Sequence, residues 1–201
     1  MRDSQRTVGM ILEAAERVII QSGVDKTTID EVAREAGISK GGVLHHFPSK
    51  EAIIVGLIHM LISRFETEIA ARQALDPEPD GSFSRAYLQV VTEKNDNCAE
   101  VSFALKAAFR NCPQLQELIR DANSRWQAKI EQDGIDPVCA SVVRLATDGL
   151  WLAKLHRVSI PSDRHRSALM DYLITLTRKP NTRKQTPVPN RRSRQSALAT
   201  K

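Results

Sequence analysis

Aromatic side chains make up only 4% of this 201-residue chain and cysteine occurs three times. No apolar run approaches the roughly 18 residues that a bilayer-spanning helix needs. The opening MRDSQRTVGM is charged where a secretory leader would carry an apolar core, so a cytoplasmic protein without a membrane partner is expected. Cys98, Cys112 and Cys139 are widely spaced and odd in number, which fits neither a disulfide framework nor zinc-ligand spacing; reduced, buried thiols are predicted. Sustained period-two alternation is missing, and with it the case for strands. Internal repeats and Walker-type or dinucleotide glycine patterns are missing too. No nucleophile and base, and no metal-ligand cluster, stand at a recognisable spacing, so a helical hydrolase or metal enzyme lacks its residues and neither enzyme activity nor a cofactor is expected.

Acidic residues are absent from one long stretch. Eight of the 29 basic residues lie between Arg178 and Lys201 without a single acid, leaving 21 bases against 24 acids elsewhere. The net charge of +5 therefore comes from the tail. Rich in proline and without apolar periodicity, residues 179–201 are expected to be a basic, disordered extension, serving either solubility or nonspecific attraction to DNA phosphates.

What is present is helical spacing from end to end, giving an all-α chain of about nine helices. Val8, Ile11, Leu12, Ala15, Val18 and Ile19 form one stripe, ended by Gly23; Ile29, Val32, Ala33 and Ala36 form a second, ended by Gly37. Thr28 and Glu31 have capping-box spacing, and Ser39 and Ser49 can cap two more helices. Ile54, Leu57, Ile58, Leu61 and Phe65 mark a fourth helix reaching about Ala74, broken by the Asp76–Gly81 segment. Further stripes run through Phe83, Tyr87, Val90 and Val91 and through Val101, Leu105, Ala108 and Phe109. Pro113 and Pro137 open helices reaching about Gly134 and Val158, and a last one covers about Ser162 to Arg178.

The segment from Thr28 to Phe47 has a helix-turn-helix layout, in which the second helix enters the major groove of DNA. Gly41 and Gly42 lie inside that second helix, where each costs roughly 1 kcal/mol relative to alanine, so a close approach to another surface is the expected reason for them. Thr28, Ser39, Lys40 and Lys50 sit at helix N-termini, where they can meet phosphate oxygens; plain capping for the serines and a solvated surface for the lysines are the alternatives. His45 and His46 are adjacent and point about 100° apart, which rules out joint chelation of one ion. His45 is expected to face outward to phosphate and His46 to pack inward, because Val43 and Phe47 mark the inner stripe.

With these residues in view, TTIDEVAREAGISKGGVLHHFPSKEAI resembles the DNA-binding segment of the tetracycline-repressor (TetR) family of bacterial transcriptional regulators. Gly37, Ser39, Lys40, Gly41, Phe47, Lys50 and Glu51 together fall at the family spacing, within about the first 60 residues. Two positions depart from it: Gly42 replaces a commoner Ser or Thr, and Leu44 stands where a phosphate-contacting Tyr is usual. The resemblance implies a homodimeric repressor of a palindromic double-stranded operator, with a DNA-binding domain over 1–50 and a ligand-binding and dimerisation domain over 51–178. It also implies pairing of the last two helices across a two-fold axis. The stretch ATDGLWLAKL resembles one in family members that regulate multidrug efflux.

The Pro137 helix is apolar on two faces: Val138, Val142, Leu145, Gly149 and Leu152 on one, and Val143, Ala146, Leu150 and Ala153 on the other. Such a helix must be covered on both sides. Asp148 within it is expected to pair with Arg144 or a partner-chain base, or to meet a polar or cationic ligand. Phe103, Phe109, Trp126 and Trp151 either fill the core or, with Asp148, line a pocket for a small apolar or cationic aromatic effector. An architectural DNA-binding protein acting through its basic tail, without ligand control, is the alternative function.

Overall fold

The computed structural model describes residues 2–93, 112–156, 158 and 161–178. Among them the chain forms eight helices: α1 (Arg2–Ser22), α2 (Ile29–Ala36), α3 (Lys40–His46), α4 (Lys50–Leu75), α5 (Ser82–Glu93), α6 (Pro113–Glu131), α7 (Pro137–Leu155) and α8 (Asp163–Thr177). The stripe through Val101, Leu105, Ala108 and Phe109, the side chain of Phe103, and the tail over 179–201 all lie outside the described residues. None of the described helices is long and apolar enough to cross a membrane.

Local chemistry sets the helix ends. At α2 the Thr28 hydroxyl accepts from the Glu31 amide at 3.2 Å while the Glu31 carboxylate accepts from the Thr28 amide at 3.0 Å, a closed capping box. Gly37 then ends α2 in the left-handed region, φ 69°, with its N–H turned back to Ala33 and Arg34 carbonyls. The Ser39 hydroxyl accepts from Gly42 N–H at 3.0 Å and the Ser49 hydroxyl from Ala52 N–H at 3.1 Å, starting α3 and α4. Two boundaries differ from the periodic reading. α1 begins at Arg2, a turn or more earlier, because Asp3, Ser4, Gln5 and Arg6 extend it as an exposed polar turn that apolar spacing does not mark. α7 stops at Leu155, three residues short of Val158, where the His156 N–H turns to the Leu152 and Lys154 carbonyls.

The helices enclose three apolar cores. The first joins Ile11, Ala15 and Ile19 of α1, Val32 of α2, Val43 of α3, Phe47, Ile54 and Leu57 of α4, and Leu115 of α6. This packing unit runs past residue 50 into the first half of α4. A second core packs Phe65 and Ile69 from the far half of α4 against Phe83 and Tyr87 of α5 and Ile130 of α6. The third holds Leu88, Val143, Leu173 and Leu176 from α5, α7 and α8. At about 1.5 Å per residue the 26 residues of α4 form a continuous rod of about 39 Å shared by the first two cores. Cys112 and Cys139 are unpaired and only half-buried, against the expectation of burial, because each lies at the first turn of a helix rather than in its middle; Cys98 is outside the described residues.

A polar clasp fixes the lower end of the molecule. Arg85 is 3% exposed and its guanidinium donates to both oxygens of Asp76, at 2.6 and 3.0 Å, to the Glu78 carbonyl at 2.6 Å and to the Thr177 carbonyl at 3.3 Å. The Asp133 carboxylate accepts from the amides of Phe83 and Ser84 at 3.0 and 2.7 Å, capping α5 from a distant turn. These bonds tie the α4–α5 loop, the α6–α7 turn and the end of α8 to one another.

Hydrogen bonds from Arg85, opposed in part by burial, hold the Asp76 carboxyl below the usual carboxylate range. A depressed folded-state value means the pair's contribution is complete above the unfolded carboxylate's range and is lost as pH falls through the folded value. Denaturant unfolding between about pH 6 and 2 is therefore expected to show an acid loss of stability that is smaller in Asp76→Asn, which should also be less stable than the parent at neutral pH.

Candidate nucleic-acid interface

Helix α3 is seven residues long and lies on the outside of the first core. Val43, with no exposure, and Phe47 turn inward, while Lys40, Gly41, Leu44 and His45 are exposed. His46 is half-buried, and the two imidazole rings meet edge to face at 5.1 Å, as expected of neighbours that diverge around a helix. The inner face rests on α4 through an unusually close approach: a Cβ on Gly56 would lie 2.8 Å from Phe47 Cε1 and 3.1 Å from Leu12 Cδ2. Gly56 went unnoticed in the sequence because it sits inside an apolar stripe, where a lone glycine reads as a neutral filler.

Each lysine and hydroxyl singled out in the sequence has an internal partner. Thr28 Oγ1 and Ser39 Oγ are engaged in the caps of α2 and α3. Lys40 pairs with Asp30 at 2.8 Å, with both side chains more than half exposed. Lys50 Nζ donates to the Asp25 carbonyl at 3.1 Å, fastening the start of α4 to the α1–α2 turn. An ammonium has three donors, so one such bond leaves others for an outside acceptor. The exposed Lys40–Asp30 pair is of a kind worth little, about 0–1 kcal/mol, and can exchange for a phosphate contact.

Among the described residues nothing requires a glycine at 41 or 42. Neither has positive φ. A Cβ on Gly41 would meet only Ser39 Oγ, at 3.9 Å, and one on Gly42 would meet Ser39 Oγ at 3.4 Å and Ile38 Cδ1 at 3.8 Å, all ordinary contacts. Two adjacent helix-weakening residues in a seven-residue helix are thus kept against local stability.

The candidate effector residues are brought together in part. Trp126 packs on Phe65 with ring centres 4.8 Å apart and on Tyr87 at 6.3 Å, and its indole N–H donates to Glu66 at 3.1 Å. Tyr87 donates its hydroxyl to Asp148 at 2.7 Å, which links that ring cluster to α7. Asp148 also faces the Arg144 guanidinium at 3.4 Å, and Arg144 is held in turn by Gln127 and Asn123 at 2.6 and 2.8 Å. Burial, with the Asp148 carboxylate next, pushes the Tyr87 hydroxyl above the ordinary phenol range, so it stays a donor. Trp151 is half-buried three residues beyond Asp148, and Phe103 and Phe109 lie outside the described residues. Tyr87, Phe65 and Glu66 were missed as members of this group because they sit on α4 and α5, and only tertiary packing brings them to Trp126.

Three comparisons bear on this geometry. A family model described as bacterial regulatory proteins, tetR family, matches residues 11–57, and one described as tetracyclin repressor-like, C-terminal domain, matches 81–178. The HTH-type transcriptional regulator TtgR of Pseudomonas putida is 32% identical over 92 residues, 45% of this chain and 44% of its own length, so the match spans less than half of that relative. The HTH-type transcriptional regulator BetI of Pseudomonas aeruginosa is 26% identical over 180 residues, 81% of this chain and 89% of its own. A solved TetR-family member from Streptomyces coelicolor A3 superposes with a TM-score of 0.63 at 25% identity, covering 85% of this chain and 98% of that one.

Gly41→Ala and Gly42→Ala are each expected to stabilise the free protein by up to about 1 kcal/mol, read as a raised denaturation midpoint, since the helix gains propensity and no contact is broken. A lowered midpoint would mean that the fold itself needs these glycines.

Proposed function

The chain belongs to the tetR family of bacterial regulatory proteins, and from that premise we propose that it is a dimeric, ligand-responsive repressor that reads a palindromic operator with α3. One observation carries the DNA reading: α3 keeps two glycines that no contact among the described residues requires, Gly41 exposed and Gly42 half-buried. A backbone stripped of side chains there can approach a groove edge, flanked by Lys40, His45 and Lys50 for phosphates and by the Thr28 and Ser39 helix ends. The DNA-binding unit is residues 1–50 together with the first turns of α4, which complete its core; the remainder to 178 binds effector and partner.

Dimerisation is supported by α7. Val138, Val142, Leu145 and Leu152 are 68, 45, 70 and 45% exposed along one stripe, and Tyr172 of α8 is 57% exposed. A second copy is the natural cover for such a patch. The effector site is supported by the Phe65–Tyr87–Trp126 ring cluster, which Tyr87 joins to Asp148 of α7, three residues before the half-buried Trp151. Because Asp148 already faces Arg144, and Glu66 faces Arg125 at 3.0 Å, a positive charge on the effector is not required; an apolar aromatic body is. Coupling to DNA runs through α4, and through Leu115 of α6, which is 1% exposed inside the first core.

Sedimentation, operator binding and tryptophan fluorescence test this together. The parent should sediment as a dimer at micromolar concentration, and Leu145→Glu as a folded monomer with weakened operator binding. Neutral and cationic aromatic dyes should quench tryptophan and lower operator affinity roughly 5- to 150-fold, the span of a 1–3 kcal/mol coupling. A monomeric parent, or quenching with no release of DNA, would contradict the dimer and the switch respectively.

A further inference from the structure

We infer that Leu44 is a base-reading residue of this interface, its side chain packing against the 5-methyl group of an operator thymine in the major groove. The inference rests on the reading of α3 as the groove helix. Leu44 is 39% exposed although it sits in the middle of that helix. Among the described residues Leu44 joins none of the three cores, and Val43 and Phe47 make the inward contacts of α3. Leu44 follows Lys40 by four residues and Gly41 by three, so all three share one face. On that face Gly41 offers no side chain, which leaves Leu44 as the apolar projection beside a bare backbone.

Chemistry then narrows what Leu44 can meet. With neither donor nor acceptor it cannot hold a phosphate oxygen or the polar edge of a base. The thymine 5-methyl is the apolar group that a base pair presents in the major groove, and contact with it distinguishes T·A from the other pairs. A side chain that stays in water in the free protein but leaves it on binding thus contributes sequence preference without adding to the phosphate count.

The test uses the full-length chain and duplexes recovered with it from a random pool at fixed salt. Each thymine of the recovered half-site is replaced in turn by deoxyuridine, which removes the methyl and leaves the pairing edges intact. At one thymine position the replacement should weaken the parent by roughly fourfold for each half-site, the effect of one buried methyl-sized group. In Leu44→Ala that replacement should have no effect, and the slope of log affinity against log salt should match the parent, since no phosphate contact is lost. Leu44→Gln, which keeps the length, should likewise be blind to the methyl; unfolding curves establish that both variants fold. A parent indifferent to deoxyuridine at every thymine, or the same sensitivity persisting in Leu44→Ala, would overturn the assignment to Leu44. If no duplex is recovered from the pool, the DNA-reading function fails, and this inference with it.

Discussion

The contact between Phe47 and Gly56 sets the geometry on which the rest depends. Phe47 is 9% exposed at the C-terminal end of α3, and its ring lies where a side chain at position 56 would begin. Because no Cβ intervenes, α3 is drawn onto the α4 backbone, with Leu12 of α1 closing the same gap. A seven-residue helix with two glycines has little stability of its own, since isolated short helices are marginal. Its orientation is therefore supplied by tertiary packing, at Val43 and Phe47, and by the Ser39 cap. Rigidity from behind is what lets the outer face be thin.

The same helix that seats α3 continues into the second core. Ile54 and Leu57 pack with α1, α2 and α3, while Phe65 and Ile69 pack with the aromatic cluster around Tyr87 and Trp126. Arg64 adds a polar tie to α1, donating to Glu16 at 2.8 Å and Glu13 at 3.3 Å. One continuous element therefore connects the packing around Tyr87 with the base of α3. Leu115 makes a second connection, because α6 places one end in the first core and Ile130 in the second. Two helices thus join the first core to the second.

Much of this was readable in the sequence. The capping chemistry at Thr28, Ser39 and Ser49 and the turn at Gly37 are local, so the residues alone located the helix-turn-helix and the start of α4. The stripe of α7 was legible from 3.6-residue spacing, because Val138, Val142, Leu145 and Leu152 are apolar and recur along one side of the helix, and all four are exposed. Long-range pairings were not legible. The Tyr87–Asp148 bond joins residues 61 apart and the Arg85–Thr177 contact residues 92 apart, separations that no periodicity encodes. Leu115 resembled any other apolar helix residue until packing placed it in the far core. Gly41 and Gly42 are the opposite case, conspicuous in the sequence because they contradict helix propensity, and without a contact among the described residues that requires them.

That α3 is the surface that meets DNA is tested most directly by Gly41→Leu. Position 41 is exposed and a Cβ there meets only Ser39 Oγ at 3.9 Å, so the variant should fold with stability equal to or above the parent's. The measurement is its affinity for an operator duplex recovered with the parent, at fixed salt, beside an unfolding curve. A folded variant whose operator affinity drops by more than about tenfold is the predicted result, because the leucine holds the backbone off the groove. A folded variant that binds the operator as tightly as the parent would contradict the account.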